Sequence, residues 1–148
     1  MGQNTVIKQL DLADHDRILA LWQASGLHSI RPQGRDSQES LAQQLAIGVQ
    51  TILGLEVDGH LVGVVVATHD SRKGWINRLA VAPDHRRKGY AIQLIAAAEQ
   101  ALHQQGIHVI AALVEPGNTP SLNLLKKTGY TEYEPPIHYL SKRSSDAA

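Results

Sequence analysis

The fold of this chain is decided by the stretch Ala82-Pro83-Asp84-His85-Arg86-Arg87-Lys88-Gly89-Tyr90-Ala91. It separates a predicted strand, Trp75 to Val81, from an alanine-rich helical pattern that begins near Tyr90. Pro83 ends the strand, and Gly89 precedes a helix whose first N–H groups have no partner within the helix. A strand, a basic loop with a glycine and a helix N-terminus form an anion site, so the expected ligand is a phosphate or pyrophosphate.

The loop is the basic part of a chain that is neutral overall. The 148 residues hold 14 lysines and arginines against 14 aspartates and glutamates. Residues 1–71 carry 4 basic and 8 acidic residues, residues 72–88 carry 6 and 1, and residues 89–148 carry 4 and 5. A nucleic-acid-binding domain usually has a broad basic excess, so nucleic acid is not an expected partner. The loop favours a small, phosphate-rich ligand, and the alternative is a solvated basic surface.

Length and composition exclude several other classes. The chain has room for one domain, residues 1–148, with 144–148 as a frayed tail. Cysteine is absent, which excludes disulfides, thiolate metal sites and a cysteine acyl-enzyme. The longest apolar run, Leu61 to Ala67, is too short to cross a bilayer, and the chain begins without an apolar signal segment. No metal-ligand spacing such as H-x-x-x-H occurs, so we expect a soluble cytoplasmic protein with no metal and no membrane partner.

Strand and helix patterns surround the loop on both sides. Strands are predicted at 5–10, 53–57, 61–67, 75–82, 107–114, 130–134 and 137–142. Helices are predicted after Asp14, from Asp36 (read as its cap) to Gly48, from Ala91 to Gln105, and from Thr119 to Gly129. The strand–helix–strand unit over 75–114 is typical of parallel strands joined by a crossover.

Two motifs carry a resemblance to a known family. Arg86, Gly89 and Ala91 form R-x-x-G-x-A, which resembles the acetyl-coenzyme A loop Q/R-x-x-G-x-G/A of the GNAT superfamily of N-acetyltransferases. Asn118 begins N-x-x-S-x-x-L-L-x-K-x-G-Y, which is similar to that superfamily's N-x-x-A-x-x-L-Y-x-K-x-G-F. The order of elements over residues 5–142 also matches, so the resemblance covers nearly the whole chain. The closest likeness is to the small, single-domain RimI-like members.

The resemblance implies the GNAT acyl-CoA N-acyltransferase fold. This is an α/β fold, layered in the α+β manner, with a mixed sheet of six to seven strands and about four flanking helices. The two central parallel strands splay apart at their C-terminal ends. In the family, the pantetheine arm of the cofactor lies in that gap and pairs with the backbone.

The resemblance also implies acetyl-CoA as the co-substrate. Leu79 and Val81 would pair with the pantetheine, the amides of residues 87–92 would hold the pyrophosphate, and Lys126 or Lys127 would approach the 3′-phosphate. The predicted cofactor-binding residues are Leu79, Ala80, Val81, Arg86, Arg87, Lys88, Gly89, Tyr90, Ala91, Ile92, Asn118, Ser121 and Lys127.

The implied reaction is direct transfer of an acetyl group to a primary amine, without a covalent enzyme intermediate. The family's usual acid is a tyrosine, but Leu125 stands at that position and has no proton to donate. Many members carry a glutamate on the strand before the loop, where this chain has Asn77 and Arg78. Tyr133 and Glu115 are therefore the predicted catalytic candidates, as acid and base, with Tyr139 or a water as the alternative proton donor.

The acceptor is expected to enter over the first two helices and the loop between them. Arg31 and Arg35 lie in that loop, as partners of a substrate carboxylate or as plain surface charges. A small-molecule amine, an amino acid and a peptide or protein N-terminus all remain open as acceptors. The alternative function is a coenzyme A-binding sensor or partner-binding module with little catalytic activity, and a homodimer is possible for either.

Overall fold

Five strands and four helices form the part of the chain described by a computed structural model, residues 4–27, 29–135, 137–146 and 148. The strands are β1 (Thr5–Leu10), β2 (Gln50–Val57), β3 (His60–His69), β4 (Gly74–Val81) and β5 (Ile110–Ala112). The helices are α1 (His15–Ala24), α2 (Gln38–Ile47), α3 (Tyr90–Gln104) and α4 (Thr119–Lys127). Short 3-10 turns cover Leu12–Asp14 and Pro83–His85.

The strands form one mixed sheet in the order β1-β2-β3-β4-β5. The first four are antiparallel neighbours, and β5 lies parallel to β4 because α3 carries the chain back across the sheet. Asp58 and Gly59 join β2 to β3 with φ values of 50° and 85°, as a two-residue hairpin turn requires. The predicted α/β class and the crossover are confirmed.

Strands β4 and β5 separate soon after they meet. Gly74, Trp75 and Ile76 pair with residues 110–112, and there the pairing ends. Strand β4 continues to Val81 while β5 stops at Ala112, which is shorter than the predicted 107–114. The splay predicted by the resemblance is therefore present, and it leaves the β5-facing edge of β4 without a strand partner beyond Ile76.

A bulge interrupts β4 within this unpaired half. Arg78 and Leu79 lie together opposite Val65 of β3, and Arg78 has a left-handed φ of 48°. Ile76 and Leu79 both pack on the α3 face of the sheet, although strict alternation would place them on opposite faces. The extra residue thus reverses which face each later side chain of β4 reaches.

Each face of the sheet is covered by helices. On one face α3 buries Leu94, Ile95, Ala98 and Leu102 against β2, β3 and β4. On the other face α1 and α2 cover β1 and β3, through Ile18, Leu21, Trp22 and Leu41. These two layers fix where the helix ends and the loops meet the edges of the sheet.

The sheet has five strands among the described residues, not the predicted six to seven. The segments predicted as strands at 130–134 and 137–142 form no ladder, and Ile137, Tyr139 and Leu140 stay exposed. A strand forms only where a neighbouring strand accepts its hydrogen bonds, and these segments have no such neighbour among the described residues.

The N-cap of α2 is not the residue that the sequence predicts. Helix α2 begins after Ser37, whose hydroxyl accepts the Ser40 N–H at 3.1 Å, so Asp36 is not the cap. Residues 144–146 form neither helix nor strand, and residue 147 lies outside the described part. No described helix is both long and apolar enough to cross a membrane.

Candidate functional site

The basic loop ends at a helix N-terminus that no described side chain caps. Gly89 occupies the N-cap position of α3 with a φ of 80°, a left-handed conformation that favours glycine. A Cβ built there would meet nothing within 4 Å, so glycine is needed for its backbone and the space in front of it is open. The first N–H groups of α3 are therefore available to an anion.

A cavity of about 360 Å³, which we call the loop cavity, surrounds this helix end. The end of β4, the basic loop, the first turn of α3 and two side chains of α4 form its wall. Its lining residues are Val81, His85, Arg86, Arg87, Gly89, Tyr90, Ala91, Ile92, Leu124 and Lys127. Three lysine or arginine side chains and no carboxylate line it, so the loop cavity attracts anions.

Eight of the thirteen predicted cofactor residues line the loop cavity, and five do not. Lys88 is exposed beside it, Leu79 is half-buried against α3, and Ala80 is buried on the opposite face of the sheet. Asn118 caps α4, where its side chain accepts the Ser121 N–H at 3.3 Å. The sequence did not single out His85 and Leu124, because a lining position is set by the packing of α4 against the loop.

Arg86 ties the loop to α1. Its Nε donates to the Val81 carbonyl at 3.3 Å and its Nη2 to the Ser25 carbonyl at 3.4 Å. The guanidinium therefore contributes positive charge to the loop cavity while it holds the end of β4 against the end of α1.

A second cavity, of about 460 Å³, lies on the other side of β4. We call it the α1–α2 cleft, because these two helices and the loop between them cover it. Its lining residues are His15, Ile18, Trp22, Ser29, Arg35, Asp36, Leu41, Gln44, Gln50, Val66, Thr68, Ile76, Asn77, Arg78 and Leu113. Strand β4 therefore contributes residues 76–78 to this cleft and Val81 to the loop cavity.

A buried ion pair crosses the α1–α2 cleft. Arg78 donates from Nη1 and Nη2 to the two carboxylate oxygens of Asp36, the second at 3.0 Å, and from Nη2 to the Ser29 carbonyl at 3.2 Å. Asp36 is only 8% exposed, and its Oδ2 also accepts the Arg31 N–H at 2.7 Å. The Arg78 guanidinium lies 4.7 Å from the ring of Trp22. The pair fastens the α1–α2 loop to the bulge of β4.

No local pattern in the sequence predicts this pair. Asp36 and Arg78 are 42 residues apart, and the pattern around Asp36 predicts a helix cap. Arg78 stands where many family members have a glutamate, which does not indicate a partner for it. Only the tertiary fold brings the two side chains together.

Of the two arginines predicted to contact substrate, Arg35 lines the cleft and Arg31 does not. Arg35 Nη2 donates to the Ser29 carbonyl at 2.9 Å, and no carboxylate of the described chain forms an ion pair with it. Arg31 Nη1 donates to the neighbouring Ile30 carbonyl at 3.1 Å. With Asp36 and Arg78 paired, Arg35 leaves the lining of the cleft with a net positive charge.

Two ring nitrogens of the cleft residues lack hydrogen-bond partners within the described chain. The indole Nε1–H of Trp22 is buried without an acceptor, and a buried donor left unpaired costs roughly 1–3 kcal/mol. His15 Nε2 lies 2.9 Å from the Asp36 carbonyl, which can only accept, so this nitrogen carries the proton. The buried Nδ1 of His15 has no hydrogen-bond partner either.

The predicted catalytic candidates lie away from both cavities. Tyr133 is 66% exposed, Glu115 is exposed, and neither lines the loop cavity or the cleft. Leu125 is buried in the core beneath α3. Tyr130 donates its hydroxyl to Glu99 Oε2 at 2.7 Å, and burial together with this carboxylate raises the pKa of Tyr130.

The described residues contain no group of three or more histidines and carboxylates placed to hold a metal ion.

Comparison with known families gives the class of protein. Residues 17–130 match the acetyltransferase (GNAT) family, and the chain belongs to it. The predicted enzyme class, an N-acetyltransferase that uses acetyl-CoA, is thereby confirmed.

Solved structures show the same fold. The aminoglycoside N-acetyltransferase AAC(6')-Iy, in complex with a bisubstrate analogue, is 21% identical over 95% of this chain and 99% of that chain, with a TM-score of 0.79. The 6'-N-acetyltransferase AAC(6')-IG of Acinetobacter haemolyticus is 23% identical over 95% and 99%, with a TM-score of 0.77. The PaiA N-acetyltransferase of Thermoplasma acidophilum, in complex with coenzyme A, is 19% identical over 86% and 90%, with a TM-score of 0.74. A search of the curated proteins found no match.

Proposed function

We propose that this enzyme binds acetyl-CoA along the loop cavity and acetylates a primary amine that enters through the α1–α2 cleft. The observation that carries the proposal is the position of the two cavities on one strand. Residues 76–78 of β4 line the cleft and Val81 lines the loop cavity, and this half of β4 has no β5 partner. An acetyl group carried along that free edge would meet an amine at the bulge.

The charges and amides of the loop support the cofactor's placement. The uncapped N-terminus of α3, Arg87 and Lys127 would hold the phosphates, and the free edge of β4 from Leu79 to Val81 would pair with the pantetheine arm. Gly89 keeps the approach clear. Asn118 and Ser121 at the start of α4, with Ala80 and Lys88, complete the predicted set.

The transfer needs little from the protein beyond orientation. The amine nitrogen attacks the thioester carbon, a C–N bond forms, and the C–S bond breaks as the thiolate leaves with its electron pair. The nitrogen loses one proton and the thiolate gains one. Because Leu125 has no proton to give and Tyr133 and Glu115 line neither cavity, we propose that water serves both proton transfers.

The alternative is that Tyr133 and Glu115, the catalytic candidates predicted from the sequence, carry out the proton transfers. We expect Tyr133→Phe and Glu115→Gln to retain the wild-type kcat within about twofold. A loss of about 100-fold, typical of a missing general acid or base, would restore that residue to the mechanism.

The decisive experiment is a panel of small amines, amino acids, polyamines and N-terminal peptides with acetyl-CoA, followed through the release of free thiol. The protein has no cysteine, so it adds no thiol of its own to the signal. We expect release that depends on the acceptor.

A second candidate function is a coenzyme A-binding module with little activity. The burial of Leu125, at the position where family members carry a tyrosine, favours it. Both functions predict that acetyl-CoA raises the melting temperature, because a ligand that binds only the native state stabilises it. Such a rise without acceptor-dependent thiol release would select the second.

Four narrower assignments made from the sequence remain predictions. These are the RimI-like likeness, the cytoplasmic location, the homodimer and the single domain over residues 1–148. Similar solved structures include several aminoglycoside acetyltransferases. We infer the acceptor class of this chain from the residues that line its own cleft.

A further inference from the structure

We infer that the α1–α2 cleft selects primary amines that also carry a carboxylate, and that Arg35 is the residue that binds this carboxylate. The inference rests on the proposed function, since it assigns a substrate class to the same cleft. Three features of the described residues support it: the charge of the lining, the engagement of Asp36, and an unpaired donor.

The lysine, arginine, aspartate and glutamate side chains that line the cleft have a net charge of +1. These residues are Arg35, Asp36 and Arg78. Of the two arginines, only Arg78 reaches a carboxylate of the described chain. Arg35 is exposed at the wall of the cleft and binds the Ser29 carbonyl through Nη2 alone, which leaves other donors of its planar guanidinium for a ligand.

Asp36 cannot serve as the site for a second ammonium group. Both of its oxygens accept hydrogen bonds from Arg78, and one also accepts the Arg31 N–H. A cation that approached this carboxylate would face the Arg78 guanidinium as well. A polycationic acceptor therefore meets repulsion in this cleft, whereas an anionic group meets an unpaired arginine.

The indole of Trp22 supplies the third feature. Trp22 lines the cleft, is 7% exposed, and has an Nε1–H with no acceptor in the described chain. An indole N–H can only donate, so its natural partner is an oxygen. Because this nitrogen is buried, an oxygen of the acceptor can reach it only if the side chains around it shift.

The test compares acceptors that differ only in this charge. Glycine, β-alanine and diglycine, each against its carboxamide, and sisomicin as a polycation, are assayed with acetyl-CoA for thiol release. We expect the acids to have kcat/KM values about tenfold or more above those of their amides, and sisomicin to be the poorest acceptor. Arg35→Gln should remove most of the difference by lowering the values for the acids alone.

A binding measurement keeps the inference testable if no acceptor is turned over. With coenzyme A present, the acids should raise the melting temperature of the wild type more than the amides do, and Arg35→Gln should abolish the difference. Arg72→Gln is the matched control, because Arg72 is exposed and pairs with Asp70 in the turn before β4. That variant should behave as the wild type in both assays.

The outcomes separate the two proposals. Absent turnover with acid-selective binding would overturn the proposed reaction and support Arg35 as a carboxylate-binding residue. Turnover without acid preference, preference for sisomicin, or an equal loss for acids and amides in Arg35→Gln would overturn the inference and leave acetyl transfer standing. Failure of both readouts would overturn both.

Discussion

Gly89 is the residue on which the cofactor site depends most directly. A glutamate there places a negative charge in front of the α3 N-terminus, where the phosphates would bind. It also forces an L side chain into a left-handed backbone, at a cost of roughly 1–2 kcal/mol. We expect Gly89→Glu to weaken acetyl-CoA binding at least tenfold, as measured by titration calorimetry, and to lower the melting temperature by a few degrees.

Gly106→Glu is the matched control for this substitution. Gly106 follows the other end of α3 with a φ of 85°, and a Cβ there also meets nothing within 4 Å. The two variants should lose similar stability, but Gly106→Glu should bind acetyl-CoA like the wild type. Equal affinities for the two variants would contradict the assignment of the loop cavity.

The Asp36–Arg78 pair gives a prediction about the acceptor side. Asp36→Asn leaves the Arg78 guanidinium buried without its counter-charge, and breaking a buried pair typically costs about 3–5 kcal/mol. We expect urea unfolding to report a loss of that order. The α1–α2 loop would no longer be fastened to β4, so KM for the amine should rise while the Kd for acetyl-CoA stays unchanged.

Glu132→Gln provides the comparison, because it removes the exposed Lys126–Glu132 pair, in which both side chains are 46% exposed. Exposed pairs contribute about 0.2–1 kcal/mol. If both substitutions cost the same, Asp36 and Arg78 would not form the buried tie described above.

At the scale of elements, Glu56 links β2 to β1 and to α1 through two ion pairs. This β2 carboxylate accepts hydrogen bonds from Lys8 Nζ of β1 at 3.0 Å and from Arg17 Nη2 of α1 at 2.7 Å. These two hydrogen bonds hold the pKa of Glu56 below its usual value of 4.5, and the bond from Lys8 has the larger effect. A carboxylate with a lowered folded-state pKa stabilises the fold above its unfolded pKa, and this stability is lost as the pH falls through the folded pKa.

Unfolding free energies between pH 7 and pH 2 test this directly. The wild type should lose stability below about pH 5, and Glu56→Gln should lose less over the same interval because its neutral amide does not titrate. Parallel pH profiles for the two proteins would show that Glu56 does not contribute to the acid sensitivity.

Elements were predictable from the sequence where local chemistry decided them. The Asp58-Gly59 turn and the crossover through α3 follow from turn preferences and periodicity that act over a few residues. The α2 cap and the last two strands were predicted wrongly, because their outcome depends on distant partners. Asp36 is held by Arg78, and residues 137–142 find no neighbouring strand.

At the scale of the whole molecule, a net charge of zero conceals a local anion site. Salt screens exposed charges strongly, with a Debye length of about 10 Å at 0.1 M and about 3 Å at 1 M. We expect acetyl-CoA affinity to fall several-fold when sodium chloride is raised from about 0.05 M to about 0.5 M. The melting temperature of the unliganded protein should change much less. An affinity independent of salt would mean that the basic loop does not contact the phosphates.

The residues of the proposed cofactor site were easier to predict from the sequence than the residues that line the α1–α2 cleft. The proposed phosphate site lies within ten consecutive residues, and their order alone specifies a strand end, a glycine and a helix start. The α1–α2 cleft is lined by residues of α1, α2, the loop between them, β2, β3 and β4, so its lining depends on how these elements pack together. Trp22, Asp36 and Arg78 are adjacent only after folding.

The bulge in β4 also bears on how such an enzyme can diverge. Because Ile76 and Leu79 both pack toward α3, the side chain between them at position 78 is not constrained by the volume of that core. A lineage can therefore exchange the charge at position 78, together with its partner at position 36, without rebuilding the sheet. Such an exchange would require changes in two codons, 42 positions apart.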